Sequence, residues 1–229
     1  MRLSIVVPTL DEAKGIEDHL AALKDLRARG AEVIVVDGGS RDGTVGRARP
    51  LVDKVIAAPR GRAAQMNAGA EAAGGDVLLF LHADTRLPPD ADRLVEEALG
   101  GGRDWGRFDV RIEGRHPLLR IVAQTMNLRS RATGIATGDQ GIFVGREAFQ
   151  AVGGYADIPL MEDIVLARAL RRRSRPACLS ARVTTSGRRW EERGVLRTIL
   201  VMWRLRAAFF LGADPRRLAL AYGRRPRDA

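Results

Sequence analysis

The stretch Val77-Leu78-Leu79-Phe80-Leu81-His82-Ala83-Asp84-Thr85 decides how this chain folds. An uninterrupted apolar run of this length predicts a strand buried on both faces of a parallel sheet. Asp84 then stands where the strand emerges, at the carboxyl edge where open α/β sheets bind ligands. A carboxylate there, with the His82 imidazole two residues earlier, is placed to face a metal or a phosphorylated substrate. Asp84 or Thr85 can equally shape the turn before Pro88-Pro89 and the next helix, so the surrounding segments must decide.

Working outward, strand and helix signals alternate. Leu3-Ser4-Ile5-Val6-Val7 stops at Pro8, and Glu12 to Arg29 carries Ile16, Leu20, Leu23 and Leu26 on one helical stripe before Gly30. Glu32-Val33-Ile34-Val35-Val36 is a second strand, ended by Asp37-Gly38-Gly39-Ser40. Lys54 to Ala57 reads as a third strand and Gly61 to Ala73 as an Ala-rich helix. This βαβαβαβ order implies a parallel sheet with right-handed crossovers. Beyond it the pattern is mixed. Arg107 to Ile112 alternates strictly, predicting a half-exposed antiparallel or edge strand. Pro117 to Arg131 reads as a helix, Gly141 to Val144 as a strand and Met161 to Arg173 as a helix. Val195 to Leu211 is amphipathic, broken by Arg197, Arg204 and Arg206. It can dock on the core or lie on a membrane surface; docking is favoured because the arginines leave no single polar face.

The composition, 45% hydrophobic and 29% charged over 229 residues, is that of an ordinary soluble α/β domain with a full core. The single cysteine, Cys178, excludes an internal disulfide, fits a reducing cytoplasm and reads as a small buried hydrophobe. No stretch approaches the roughly 18 apolar residues of a membrane span, and Leu3 to Val7 is too short for a signal peptide. His19 reads as a solvated helix residue and His116 as a loop residue. The net charge of +10 is unevenly spread: residues 164–229 hold 17 Arg and 4 acidic residues, net +13, against net −3 before them. Arginine suits planar contacts to phosphate, so this segment could meet a diphosphate, an anionic lipid or nucleic acid.

Three strand-end loops should converge: Pro8-Thr9-Leu10-Asp11-Glu12, Asp37 to Thr44, and His82-Ala83-Asp84. The glycines of the second permit a tight turn, and Asp42 or Thr44 can cap the following helix. Its backbone N–H groups could also meet an anionic ligand. It is neither a Gly-x-Gly-x-x-Gly fingerprint nor a Walker loop, which argues against a dinucleotide cofactor and simple ATP hydrolysis.

Taken together, these motifs resemble the family 2 glycosyltransferases of the GT-A fold. The resemblance runs from Ile5-Val6-Val7-Pro8 and Val35-Val36-Asp37-Gly38-Gly39-Ser40 to Arg188-Arg189-Trp190. Leu81-His82-Ala83-Asp84-Thr85 is similar to the family's Asp-x-Asp strand end. Gly141 to Phe149 and Gly153-Gly154-Tyr155 resemble its acceptor-side segment, leading into Met161-Glu162-Asp163. The Phe-Leu-His-Ala-Asp-Thr form and short length are similar to the bacterial radical-SAM/selenodomain-associated transferase 2 group.

The resemblance implies a GT-A-like catalytic domain over residues 1–190, with a nucleotide-sugar half (1–100) and an acceptor half (101–190), followed by basic amphipathic helices over 191–229. It implies a mostly parallel nucleotide-binding sheet with helices on both faces and a mixed acceptor-side half. The reaction implied is an inverting transfer of sugar from a nucleotide diphosphate donor, a UDP-sugar, to an unidentified acceptor. Pro8, Thr9, Leu10 and Glu12 would wall the base and ribose, and Asp37, with Gly39 and Ser40 behind it, would read the uracil edge. Arg62, and Gln65 in the same helix, would lie near the phosphates. Asp84 would ligate Mg²⁺ or Mn²⁺, and Arg188, Arg189 and Trp190 would form the loop that closes over the diphosphate. Asp163 would be the general base, with Glu162 its rival. The departure is His82, separated from Asp84 by Ala83, where the family more often has Asp; one fewer carboxylate should weaken a hard-cation site.

Two other classes compete. A nucleotidyltransferase of related fold usually needs a Gly- and Lys-bearing phosphate loop that Pro8 to Asp11 lacks. A nucleic-acid-binding module rests on the basic C-terminal segment, which has few aromatics for base stacking. The expected location is the cytoplasm, with peripheral contact at the inner membrane face through the C-terminal helices.

Overall fold

The computed structural model describes residues 1–223; the last six positions of the expected C-terminal segment, 224–229, lie outside the described residues. Strands β1 (Leu3–Thr9), β2 (Glu32–Asp37), β3 (Lys54–Ala57), β4 (Val77–Phe80), β5 (Thr85–Arg86), β6 (Trp105–Glu113), β7 (Ile142–Gly145) and β8 (Ala177–Ser186) form an eight-stranded sheet in the order β3-β2-β1-β4-β7-β6-β8-β5. The β3-β2-β1-β4 half is parallel, as expected from the alternating order. From β4 onward the pairing mixes: β4–β7, β7–β6 and β8–β5 are antiparallel and β6–β8 is parallel.

Burial on both faces explains the continuous apolar runs. Successive side chains of a strand point to opposite faces. Ile5, Val7, Val33, Val35 and Leu79 enter one core, while Val6, Ile34, Val36, Leu78 and Phe80 enter the other. Helices cover both faces: α1 (Ile16–Ala21), α2 (Lys24–Ala28), α3 (Thr44–Ala48), α4 (Arg62–Ala72), α5 (Ala91–Gly100), α6 (Leu118–Thr133), α7 (Arg146–Ala151), α8 (Glu162–Arg173), α9 (Arg188–Arg193), α10 (Val195–Phe210) and α11 (Pro215–Ala221). Helix α4 lies close on the sheet at Gly69, where a Cβ would stand 2.3 Å from a Val6 methyl and 3.0 Å from a Val36 methyl. That approach carries Arg62, at the start of α4, to the strand ends.

Several expectations are corrected. The single helix over Glu12 to Arg29 is two short helices, α1 and α2, because the chain tightens into a three-residue bond from Leu23 N–H to Leu20 C=O. Strand β6 is internal rather than an edge, since β8 pairs along its far side. Strand β8 itself gives no clean alternation in sequence because its pairing with β6 shifts register between Phe108 and Asp109. Arg188-Arg189-Trp190 begins α9 rather than forming a loop, and Cys178 is half-buried rather than in the core.

His19 is buried at 5% exposure, not solvated, and its Nε2 has no hydrogen-bond partner among the described residues. Burial pushes its pKa down to about 4, with the charges of Asp84, Arg86 and His82 as smaller contributors. The unfolded chain therefore binds a proton between pH 6.5 and 4 that the folded chain does not. Stability is full above about 6.5 and falls as pH drops toward 4, by on the order of 3 kcal/mol from this group. Denaturant melts across that range should show a shallower acid loss for His19→Gln; an unchanged slope would assign the loss elsewhere.

The C-terminal helices return to the body of the protein. Helix α10 buries Val195, Thr198 and Leu205, and α11 buries Leu218 and Ala219. The opposite side of α10 leaves Leu196, Leu200, Trp203 and Phe210 exposed. Among the described residues, no helix is long and apolar enough to cross a membrane.

Candidate active site

The loops after β1 and β2 are stitched together by polar side chains. Asp11 holds a left-handed backbone (φ 54°), a conformation that costs a non-glycine residue roughly 1 kcal/mol or more. It is fixed there because Asp11 N–H donates to Ser40 Oγ at 2.9 Å and its Oδ1 accepts from Arg41 N–H at 2.8 Å. Glu12 N–H donates to Thr44 Oγ1 and Ala13 N–H to Asp42 Oδ2, each at 2.9 Å. The cap position of α3 is Gly43, without a side-chain cap bond, so Asp42 and Thr44 shape the β1 loop rather than cap the helix as expected.

Asp37 ends β2 and is almost fully buried. Its Oδ2 accepts from the N–H groups of Gly39 and Ser40 at 2.9 and 3.0 Å, whereas its Oδ1 is buried with no partner among the described residues. Beside it the Gln65 amide donates to the carbonyls of Thr9 and Val36, both at 2.8 Å, clamping the ends of β1 and β2 together.

A cleft of about 580 Å³ opens beyond these ends. Of the residues singled out in the sequence, it brings together Pro8, Thr9, Leu10, Glu12, Arg62, Gln65, His82, Ala83, Asp84 and Arg189. Asp37, Gly39 and Ser40 lie in the neighbouring turn and do not line it. Arg188 instead approaches Glu192 at 3.9 Å. A second cavity of about 610 Å³ lies between α6 and α10; it contains Glu162, Asp163 and Trp190 and shares Arg62, His82 and Arg189 with the first. The two spaces therefore meet at two guanidinium groups and an imidazole.

Asp163 sits in the first turn of α8, entered through the left-handed Met161 (φ 69°). Its Oδ2 accepts from Gly138 N–H and its Oδ1 from Ile164 N–H, each at 2.8 Å. Each oxygen keeps a second lone pair. Glu162 is buried and Asp163 half-buried.

His82 Nδ1 lies 3.1 Å from Asp139 Oδ1. Burial alone would raise the Asp139 pKa, but the bond to His82 and the charges of His82, Arg62 and Arg189 outweigh it and hold the carboxyl near 2. Arg189 is shifted up against its burial by Tyr222, Asp84 and Asp139. Glu12 is shifted up by burial and next by the charge of Asp84, with Arg188 and Arg189 opposing.

Asp84 is exposed at the cleft and accepts from Thr85 Oγ1 at 3.3 Å. Among the described residues, no cluster of three or more His, Cys, Asp or Glu forms a closed metal cage. A hard divalent cation that shares substrate phosphates needs only one or two protein carboxylates. Asp84, with Glu12 repelled beside it, suits such a cation.

Sequence reasoning missed Arg60, Asp157 and Arg216 in the first cleft and Asp139, Arg129, Arg206 and Tyr222 in the second. Asp139 could have been found from topology. Phe80 pairs with Ile142 across antiparallel strands, so residues before β7 must lie beside those after β4.

Comparison with known proteins adds to this geometry. The model of the family described as glycosyl transferase family 2 matches residues 4–150. The undecaprenyl-phosphate 4-deoxy-4-formamido-L-arabinose transferase of Pseudomonas fluorescens is 34% identical over 158 residues, covering 61% of this chain and 44% of that protein. The chain spans about half the length of the curated relatives it matches. Among solved structures, the mannosyltransferase PcManGT from Pyrobaculum calidifontis in complex with GDP-Man and Mn²⁺ superposes with a TM-score of 0.63 at 23% identity, over 90% of this chain and 61% of that one. S. aureus TarS 1–349 in complex with UDP gives 0.64 at 20% identity, over 81% and 60%. These likenesses show a shared fold.

Proposed function

The chain belongs to glycosyl transferase family 2, and on that premise we propose that it moves a sugar from a nucleoside diphosphate donor, UDP-linked, to an acceptor hydroxyl with inversion at the anomeric carbon. One observation carries this reading: a cleft holding Asp84 meets a cavity holding Asp163 at Arg62, His82 and Arg189. Donor and acceptor would meet at that junction.

Pro8, Thr9, Leu10 and Glu12 would flank the nucleoside, and Asp37, just behind the cleft wall, would have to be reached by the base at its buried Oδ1, which has no partner among the described residues. Arg62 and Arg189 face the diphosphate, where their charge stabilises the negative charge that grows on the leaving group. Asp84 would hold Mg²⁺ or Mn²⁺ against the diphosphate, a cation that adds positive charge at the departing oxygens. The acceptor oxygen attacks the anomeric carbon opposite the diphosphate. The carbon–oxygen bond to phosphate breaks, its electron pair leaves with UDP, and the acceptor proton passes to a free lone pair of Asp163. Residues 1–100 form the donor half in this reading and 101–190 the acceptor half.

The exposed stripe of Leu196, Leu200, Trp203 and Phe210, flanked by Arg197 and Arg204, suits peripheral contact with an anionic bilayer. Flotation with anionic vesicles checks this, and protein left in the bottom fraction speaks against it. The donor reading is tested by calorimetry with UDP and Mn²⁺. Wild type should bind, and Asp37→Ala should bind about tenfold or more weaker, as expected for a lost hydrogen bond to a charged group. No binding by wild type, or equal binding by the variant, would sink it.

A further inference from the structure

Helix α11 ends where the two spaces meet. It starts from Asp214, whose Oδ1 accepts from Arg216 N–H at 2.9 Å, and it is anchored in the core by Leu218 and Ala219. Arg216 lines the cleft that holds Asp84, whereas Tyr222, in the last turn, lines the cavity that holds Asp163. The next residue, Gly223, borders the first cleft again. Tyr222 is half-buried, so it forms a wall of the cavity rather than part of the anchor.

Tyr222 is tied to α9 from its carbonyl to its hydroxyl. Arg193 Nη1 donates to the Tyr222 carbonyl at 3.2 Å, across 29 residues of chain. The Arg193 guanidinium lies over the Tyr222 ring, 5.4 Å from its centroid, in a cation–π arrangement. The Tyr222 hydroxyl in turn hydrogen-bonds the Arg189 guanidinium, and Arg189 lines both spaces. One helix turn of α9 is thus gripped at two arginines by a single aromatic side chain. The chemistry of that grip matters. A carboxylate partner would neutralise Arg189, whereas a phenol is uncharged near neutral pH and engages one of five guanidinium donors. Arg189 keeps its charge and most of its donors for an anion. An arginine loses much rotamer freedom when it closes on a ligand, and a guanidinium already held in place loses less on binding.

Resting on the donor reading above, we infer that Tyr222 is a positioning residue. It holds the Arg189 guanidinium at the junction, ready for the diphosphate, and makes α11 part of the donor site. The competing role is mere fastening of α11 to α9, which would not act through Arg189.

Calorimetry on the full chain with UDP and Mn²⁺ separates the two roles. Tyr222→Phe keeps the ring beneath Arg193 and removes only the hydroxyl. It should weaken UDP binding by about threefold to tenfold, the range for one lost hydrogen bond. Uridine, which lacks the phosphates, should bind as in wild type when followed by ligand-detected NMR. In an Arg189→Gln background the same change should have no further effect on UDP, because the group it positions is gone. Arg193→Gln loosens Tyr222 without touching Arg189 and should weaken UDP in the same direction; it serves if Tyr222→Phe fails to fold. Unchanged UDP binding by Tyr222→Phe, an equal loss for uridine, or a full loss in the Arg189→Gln background would each overturn the inference. Absent UDP binding by wild type would instead defeat the donor reading on which it rests.

Discussion

Asp163→Asn should lower kcat by about 10²- to 10⁴-fold, the usual contribution of a positioned general base. Asn nearly preserves shape, so the loss reports chemistry more than packing. The variant is not silent structurally. Both Asp163 oxygens accept backbone N–H bonds, from Gly138 and Ile164, and an amide can accept at only one of its two positions. Stability should therefore fall by about 1 kcal/mol, measurable as a shift in denaturant midpoint, while most protein stays folded. UDP binding should be close to wild type because Asp163 lines the second cavity and not the cleft that holds Asp84. Glu162→Gln is the decisive control. If UDP release collapses in that variant and survives in Asp163→Asn, the proton goes to Glu162.

The second large effect is expected from Asp84→Ala. Removing the one carboxylate exposed at the end of the β4 segment should lower kcat/KM by about 10²- to 10³-fold, corresponding to several kcal/mol. The dependence of the rate on added Mn²⁺ should flatten in parallel. The geometry adds a signature that a general loss of folding would not give. Glu12 is shifted up by burial and by the charge of Asp84, so the variant should let Glu12 ionise at lower pH. Infrared or NMR titration of the Glu12 carboxyl would follow this. An unchanged Mn²⁺ dependence would remove Asp84 from the cation site.

The parallel half of the sheet was legible because burial on both faces leaves an unmistakable composition. Ile5-Val6-Val7, Val33 to Val36 and Leu78 to Leu81 could hardly be anything else once their lengths ruled out helices. Strand β8 was not legible. It sits outside the doubly covered centre, its residues alternate poorly because the register shifts beside Phe108, and its side chains are mostly half-exposed. The role of Gln65 was hidden for a different reason: an amide clamping two carbonyls looks in sequence like any polar helix residue. Among the described residues, the two non-glycine positions with left-handed backbone, Asp11 and Met161, are not announced by Gly, the residue that usually marks such backbone.

By itself the sequence determined that a parallel sheet would form, that its strand-end loops would converge, and that Asp84 would stand at their edge. These follow from local rules: apolar run length, the side-chain period and the positions of Pro and Gly. Only the tertiary structure decided what faces Asp84 and Asp163. The antiparallel return of β7 sets Asp139 against His82, and the fold-back of α10 brings Arg206 to the cavity that Asp163 and Arg129 line. Such pairings join residues far apart in the chain through the packing of whole elements, and the energies that select them reside in the cores rather than in the residues that meet.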